Sequence, residues 1–106
     1  HDPCHLGREM GIYDAPRELI LRIAGQLLEP LSNKEYSRCC GAGSLVRAVF
    51  PRLSLHIARS RLRELEETGA DVVLTECPAC LHNLRNALGS GHRVKVYGLA
   101  EYMESL

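Results

Sequence analysis

The sequence has no apolar run approaching the roughly 20 residues of a membrane-spanning helix, and it has no internal repeat or low-complexity tract. A helical bilayer span, a solenoid and a fibrous architecture are therefore not expected. Net charge is also missing: 13 Lys and Arg balance 13 Asp and Glu, for a formal charge of zero. That balance gives no electrostatic reason to expect nucleic acid or an anionic membrane surface as a partner. An even set of cysteines is lacking too. Five are present, two adjacent and two in a CxxC, which fits poorly with a secreted framework of paired disulfides. A reducing, cytoplasmic setting is the expectation. What remains is ordinary globular usage, with 45% hydrophobic and 25% charged residues over 106 positions. That is enough chain to bury one core, and residues 1–106 are read as one domain.

Asp14 is placed to cap a helix that starts through Pro16-Arg17-Glu18, carries Leu19, Ile20 and Ile23 on one face and stops at Gly25. Leu27 to Leu31 reads as a short strand, with Pro30 marking an edge or a strand end. After the turn Ser32-Asn33-Lys34 and the loop Cys39-Cys40-Gly41-Ala42-Gly43, a long helical stripe runs through Leu55, Ala58, Leu62 and Leu65 to Gly69. Val72-Val73-Leu74 is a continuous apolar run that predicts a covered strand. It leads into Cys77-Pro78-Ala79-Cys80 and a helix striped by Leu81, Leu84 and Leu88. Gly89 and Gly91 break that helix, Val94, Val96 and Tyr97 form a strand, and Leu99 to Leu106 closes as a short helix. Strands alternating with helices imply crossover connections. The fold class is α/β, a small and mostly parallel, Rossmann-like sheet with flanking helices. A site residue in such a fold usually follows a strand, yet Cys4 has none before it, so a first strand, and a longer parent polypeptide, are expected upstream of His1.

The cysteines are the chemical signal. Pro78 suits the first position of a helix, which puts Cys77 at the cap and Cys80 in the first turn, near unpaired N–H groups. Such donors and the helix dipole favour thiolate, the metal-binding form. Adjacent Cys39 and Cys40 project apart unless the backbone bends, and Gly41 and Gly43 supply that freedom while bringing N–H groups near sulfur. Loops after successive strands gather at one edge of a wound sheet, so Cys4, Cys39, Cys40, Cys77 and Cys80 can converge. Five thiolates exceed the four that tetrahedral zinc or an ordinary cubane cluster needs.

These residues resemble the CCG cysteine-rich domain of heterodisulfide reductase subunits and of the iron–sulfur subunits of glycolate and lactate oxidising complexes. The likeness runs through His1-Asp2-Pro3-Cys4-His5, Gly7-Arg8, Pro16-Arg17-Glu18, Cys39-Cys40-Gly41-Ala42-Gly43, Glu66-Glu67-Thr68-Gly69-Ala70-Asp71 and Cys77-Pro78-Ala79-Cys80. The resemblance implies a 4Fe–4S cluster, which some members hold in a noncubane form on all five cysteines, serving electron transfer or disulfide reduction within a multi-subunit oxidoreductase. It further implies ferredoxin-like and flavin-containing partner subunits or domains, a second CCG domain in the parent protein, and attachment to the inner membrane face only through those partners. This segment alone would then be inactive. Two other readings stand beside it: a structural zinc module, as the corresponding motif is in a succinate dehydrogenase relative, and a thioredoxin-like dithiol at Cys77 and Cys80. Buried inert cysteine is the plain alternative for any one thiol. Among histidines 1, 5, 56, 82 and 92, only His5, beside Cys4, draws notice as a candidate ligand, and ordinary satisfaction in core or surface is the favoured account of all five. Arg47, Arg52, Arg59, Arg61 and Arg63 followed by Glu64, Glu66 and Glu67 oppose the helix dipole. A solvated helix face is the reading preferred there over a docking face for an acidic redox partner.

Overall fold

The computed structural model describes residues 1–42, 46–89 and 91–106, and for His5 the backbone. The expected helix after the CCG loop forms as α3, Pro51–Glu66, preceded by the short α2, Val46–Val49. Pro51 occupies the first helical positions, where its missing N–H costs nothing. Ser54, Ala58, Arg61, Leu62 and Leu65 make the buried face of α3, and the chain turns away at Gly69 with φ 84°. Strand β1, Val72–Thr75, then runs parallel to β2, Lys95–Gly98, in a register that pairs Val73 with Val96 and Thr75 with Gly98. Helix α4, Pro78–Ala87, is the crossover between them, and α5, Leu99–Glu104, follows β2 directly. The α/β class with a small parallel sheet and flanking helices is thus what the chain adopts.

The core lies where α3 and α4 meet the sheet. Ala58, Leu62, Leu84, Val73, Val96 and Ala87 are buried there together with Cys40 and Cys80. Fully burying each large aliphatic side chain contributes about 1.5–3 kcal/mol. Two cysteines of the candidate site are therefore part of the apolar core, and the site is held by the same packing that holds the fold.

Three expectations need correction. Helix α1, Asp14–Ala24, is capped by Tyr13 and not by Asp14, which lies in its first turn, while Gly25 does end it with φ 73°. Leu27 to Leu31 forms no strand: Leu31 is 97% exposed and Leu28 also faces solvent, so the segment has no buried alternating face to reward pairing. The Arg-rich stretch is not simply a solvated face either, because Arg61 is only 1% exposed. Its reversed polarity has a tertiary cause: Glu64 meets Arg61 and Arg38, and Glu66 meets His92. Two of these partners, Arg38 and His92, come from outside the helix.

Peripheral α1 has no fully buried residue and is anchored electrostatically. Arg17 donates to both carboxylate oxygens of Asp2, at 2.8 and 2.6 Å, and to Glu29 at 2.9 Å. Asp2 also accepts from the Lys34 backbone N–H at 2.7 Å. Burial works against the Asp2 carboxylate, but the Arg17 and Lys34 hydrogen bonds prevail and hold its pKa below the ordinary value. Hydrogen bonds to charged groups are worth about 1.5–3 kcal/mol. Arg17→Met is expected to lower the unfolding free energy by about that amount in denaturant titration. Arg93→Met, which breaks an exposed pair with Asp71, should change it by less than about 0.5 kcal/mol.

Candidate metal centre

The site is built on the loop before α2 and the first turn of α4. Cys77 is the N-cap of α4 in extended conformation, with φ −93° and ψ 122°, and Pro78 follows it. Cys80 falls one turn in, on the buried side. Cys40 is 4% exposed and Cys80 5%, whereas Cys39 faces solvent, and Cys4 and Cys77 are half-buried. The chain turns directly after the adjacent cysteines, at Gly41, whose φ is 90°. A β-carbon there would lie 2.6 Å from the Ser54 carbonyl oxygen and 3.1 Å from both Asn83 Nδ2 and Ile57 Cβ. Glycine is thus required twice, by dihedral angle and by the closeness of α3 and α4.

A buried polar clamp fixes this loop. Asn83 Nδ2 donates to the Cys40 carbonyl at 2.5 Å, and Ser54 Oγ donates to the Gly41 carbonyl at 2.7 Å. Ser54 Oγ also lies 3.2 Å from Asn83 Oδ1. Both clamp residues are at most 2% exposed, so these are the partners that replace water for two interior carbonyls. Asn83 stands three positions after Cys80 on α4. One helix therefore carries a candidate ligand and the group that positions the other loop.

The sulfurs respond to this placement. The Gly41 N–H lies 3.2 Å from Cys39 Sγ. A hydrogen bond from Cys39 favours the Cys40 thiolate, but a hydrogen bond with Cys80, burial and the Cys80 charge outweigh it and push Cys40 up to about 11. In the absence of a cation, Cys40 is a protonated thiol at neutral pH. Bound metal would supply the positive charge that this crowded, dry pair of sulfurs lacks.

The structure brings Cys40 against both Cys39 and Cys80, and Cys77 packs against the apolar core that contains Cys40 and Cys80. Cys4 makes none of these contacts; it starts the π-helical turn His5–Glu9, three residues after His1. Gly43 and the His5 side chain, both noted from sequence, lie outside the described residues. Two residues were missed. A ring nitrogen of His1 and the sulfurs of Cys40 and Cys80 all lie within 4.8 Å of one another. Arg61 Nε donates to His1 Nδ1 at 3.0 Å. The available signal for Arg61 was its position: Ala58, Arg61, Leu62 and Leu65 are spaced i, i+3, i+4, i+7, which puts an arginine on the buried stripe. A donor set of thiolates, one imidazole nearby and backbone N–H groups suits a thiophilic metal or an iron–sulfur cluster.

Such a protein is an α/β domain with cysteines gathered where the CCG loop meets the first turn of α4. The chain belongs to the CCG family: the family model for this cysteine-rich domain matches residues 1–85. Over 94 residues it is 45% identical to one subunit of the dihydromethanophenazine:CoB–CoM heterodisulfide reductase of Methanosarcina barkeri, an alignment covering 85% of this chain and 23% of that one. It is 41% identical over 88 residues to an uncharacterized iron-sulfur protein of Methanocaldococcus jannaschii, covering 83% and 17%. Against lactate utilization protein A of Halalkalibacterium halodurans the identity is 33% over 104 residues, covering 97% and 42%. The chain thus spans less than half the length of each of these relatives. No solved structure gives a significant match. Among the described residues no helix is long and apolar enough to cross a membrane.

Gly41→Ala tests the geometry. The left-handed conformation alone costs about 1–2 kcal/mol for a residue with a β-carbon, and the contact with the Ser54 carbonyl adds to it. The expected outcome is a destabilised protein in which Cys40, shielded in the parent, reacts readily with a thiol reagent; unchanged shielding would contradict the clamp.

Proposed function

We propose that this chain is the iron–sulfur-binding domain of a multi-subunit oxidoreductase, with Cys4, Cys39, Cys40, Cys77 and Cys80 holding a 4Fe–4S cluster and Gly41 and Gly43 shaping its loop. The single observation that carries this reading is that Cys40, buried in the core beside Cys80, interacts with both Cys80 and its exposed neighbour Cys39, while Cys77 packs against the same apolar core. Membership of the CCG family supports it, as do relatives that bear the names of a heterodisulfide reductase subunit and an iron-sulfur protein. When bound, the cluster would supply one-electron chemistry for electron transfer or for reduction of a disulfide substrate. The chain's own part is to position sulfur. Asn83 and Ser54 hold the CCG loop, Pro78 sets the start of α4, and Arg17 fixes the His1–Cys4 segment through Asp2. Partner subunits or domains, ferredoxin-like or flavin-containing, would deliver the electrons. The cytoplasm is the compartment that suits five free thiols, and attachment to the inner membrane face would come through those subunits. Residues 1–106 would act as one domain of a longer polypeptide, inactive alone.

One observation favours a second reading. Cys40 and Cys80 offer two buried sulfurs within 4.8 Å of each other, half of the donor set that a structural zinc ion accepts. A dithiol exchange protein at Cys77 and Cys80 has weaker support, since Cys80 is buried beneath the CCG loop.

Anaerobic reconstitution followed by metal and sulfide analysis separates the three. The proposal expects about four iron and four sulfide per chain with a visible charge-transfer band. About one zinc without sulfide would establish the structural module instead. Bound metal of neither kind, with disulfide reduction that survives replacement of Cys4 and Cys39, would leave the dithiol reading.

A further inference from the structure

His1 has a neighbour that restricts what its ring can do. Arg61 is 1% exposed, on the buried face of α3, and its guanidinium is held on every side. One terminal nitrogen donates to the Ser32 carbonyl at 3.0 Å and to Glu64, and the other to Ser37 Oγ at 3.2 Å. Its Nε–H points at His1 Nδ1 at 3.0 Å. An arginine Nε keeps its proton in proteins, so it can only donate. His1 Nδ1 must therefore accept, and the single proton of the neutral imidazole sits on Nε2. The lone pair a metal would need is already occupied, and the other nitrogen carries hydrogen.

We infer that His1, whose ring has a nitrogen within 4.8 Å of the Cys40 and Cys80 sulfurs, is a positioning residue locked by Arg61 in the Nε2–H tautomer, that it serves those sulfurs as an N–H donor, and that it is not a ligand of the bound metal. The inference rests on the cluster reading for its consequence, though not for the tautomer. An N–H directed at cysteine sulfur stabilises the more negative, reduced state of a cluster and raises its reduction potential. The Arg61 charge is paired with Glu64, so its part is to hold the ring, and it is itself fixed by Ser32, Ser37 and Glu64. His1 and Arg61 together form a device for setting potential, built from residues that lie outside the CCG and CxxC motifs.

Two measurements on the protein test this. In the anaerobic, metal-free protein carrying ¹⁵N-histidine, NMR is expected to show His1 as the Nε2–H tautomer, assigned by loss of its signals in His1→Gln; an Nδ1–H tautomer would overturn the lock and with it the inference. In the reconstituted protein, His1→Leu should keep its iron content and shift the midpoint potential downward, and His1→Gln, whose amide can accept from Arg61 and donate to sulfur, should restore most of the shift. An unchanged potential in His1→Leu, loss of iron in both variants, or the strong nitrogen hyperfine coupling of a directly bound imidazole in pulsed EPR would each overturn it. If the unsubstituted protein takes up no iron and sulfide, the cluster reading fails, while the tautomer in the metal-free protein still decides whether Arg61 holds His1 as a donor.

Discussion

The pair of hydrogen bonds from Asn83 and Ser54 to the Cys40 and Gly41 carbonyls is the constraint on which the rest of the site depends. Two peptide carbonyls enter the interior between α3 and α4, where an unpaired one would cost about 1–3 kcal/mol. Satisfying them with side chains from two different helices fixes the loop relative to both. The positive φ of Gly41, the inward turn of Cys40 and its contact with Cys80 all follow from that fixation. Packing alone would not suffice, since a small loop can slide over an apolar surface, whereas a short hydrogen bond selects one register.

The site and the core are not separable layers. Cys40 and Cys80 are core residues by burial and candidate ligands by chemistry. Metal binding to these sulfurs would join the CCG loop to α4 at a point already surrounded by Leu62, Leu84 and Ala58, and its free energy would add to folding. The Asp2 and Arg17 network does comparable work at the edge, tying the first residues to α1 and to the turn at Lys34 without burying apolar surface.

Much of this was legible in the sequence. Pro78 after Cys77 announced the start of α4, the stripe through Ala58, Leu62 and Leu65 announced α3, and the runs at Val72 and Val96 announced the two parallel strands. These are local signals, carried by neighbours in the chain. Leu27 to Leu31 misled because a short apolar run reports composition, while strand formation needs a paired and covered face. His1 and Arg61 were hidden for a different reason: their meaning lies in a contact across 60 positions, and nothing near either residue encodes it. Arg61 still left a trace in its register, a cation where the helix repeat called for an apolar side chain. The polar clamp was equally silent, since Ser54 and Asn83 read as ordinary surface residues until a loop lies between them.

The adjacent cysteines also differ in a way their identical chemistry conceals. Cys39 opens to solvent and Cys40 does not. In the metal-free protein, oxidants therefore encounter the outer thiol first, and sulfenic acid formation begins at Cys39 while its neighbour remains sheltered. The vicinal pair thus has a weathered side and a protected one.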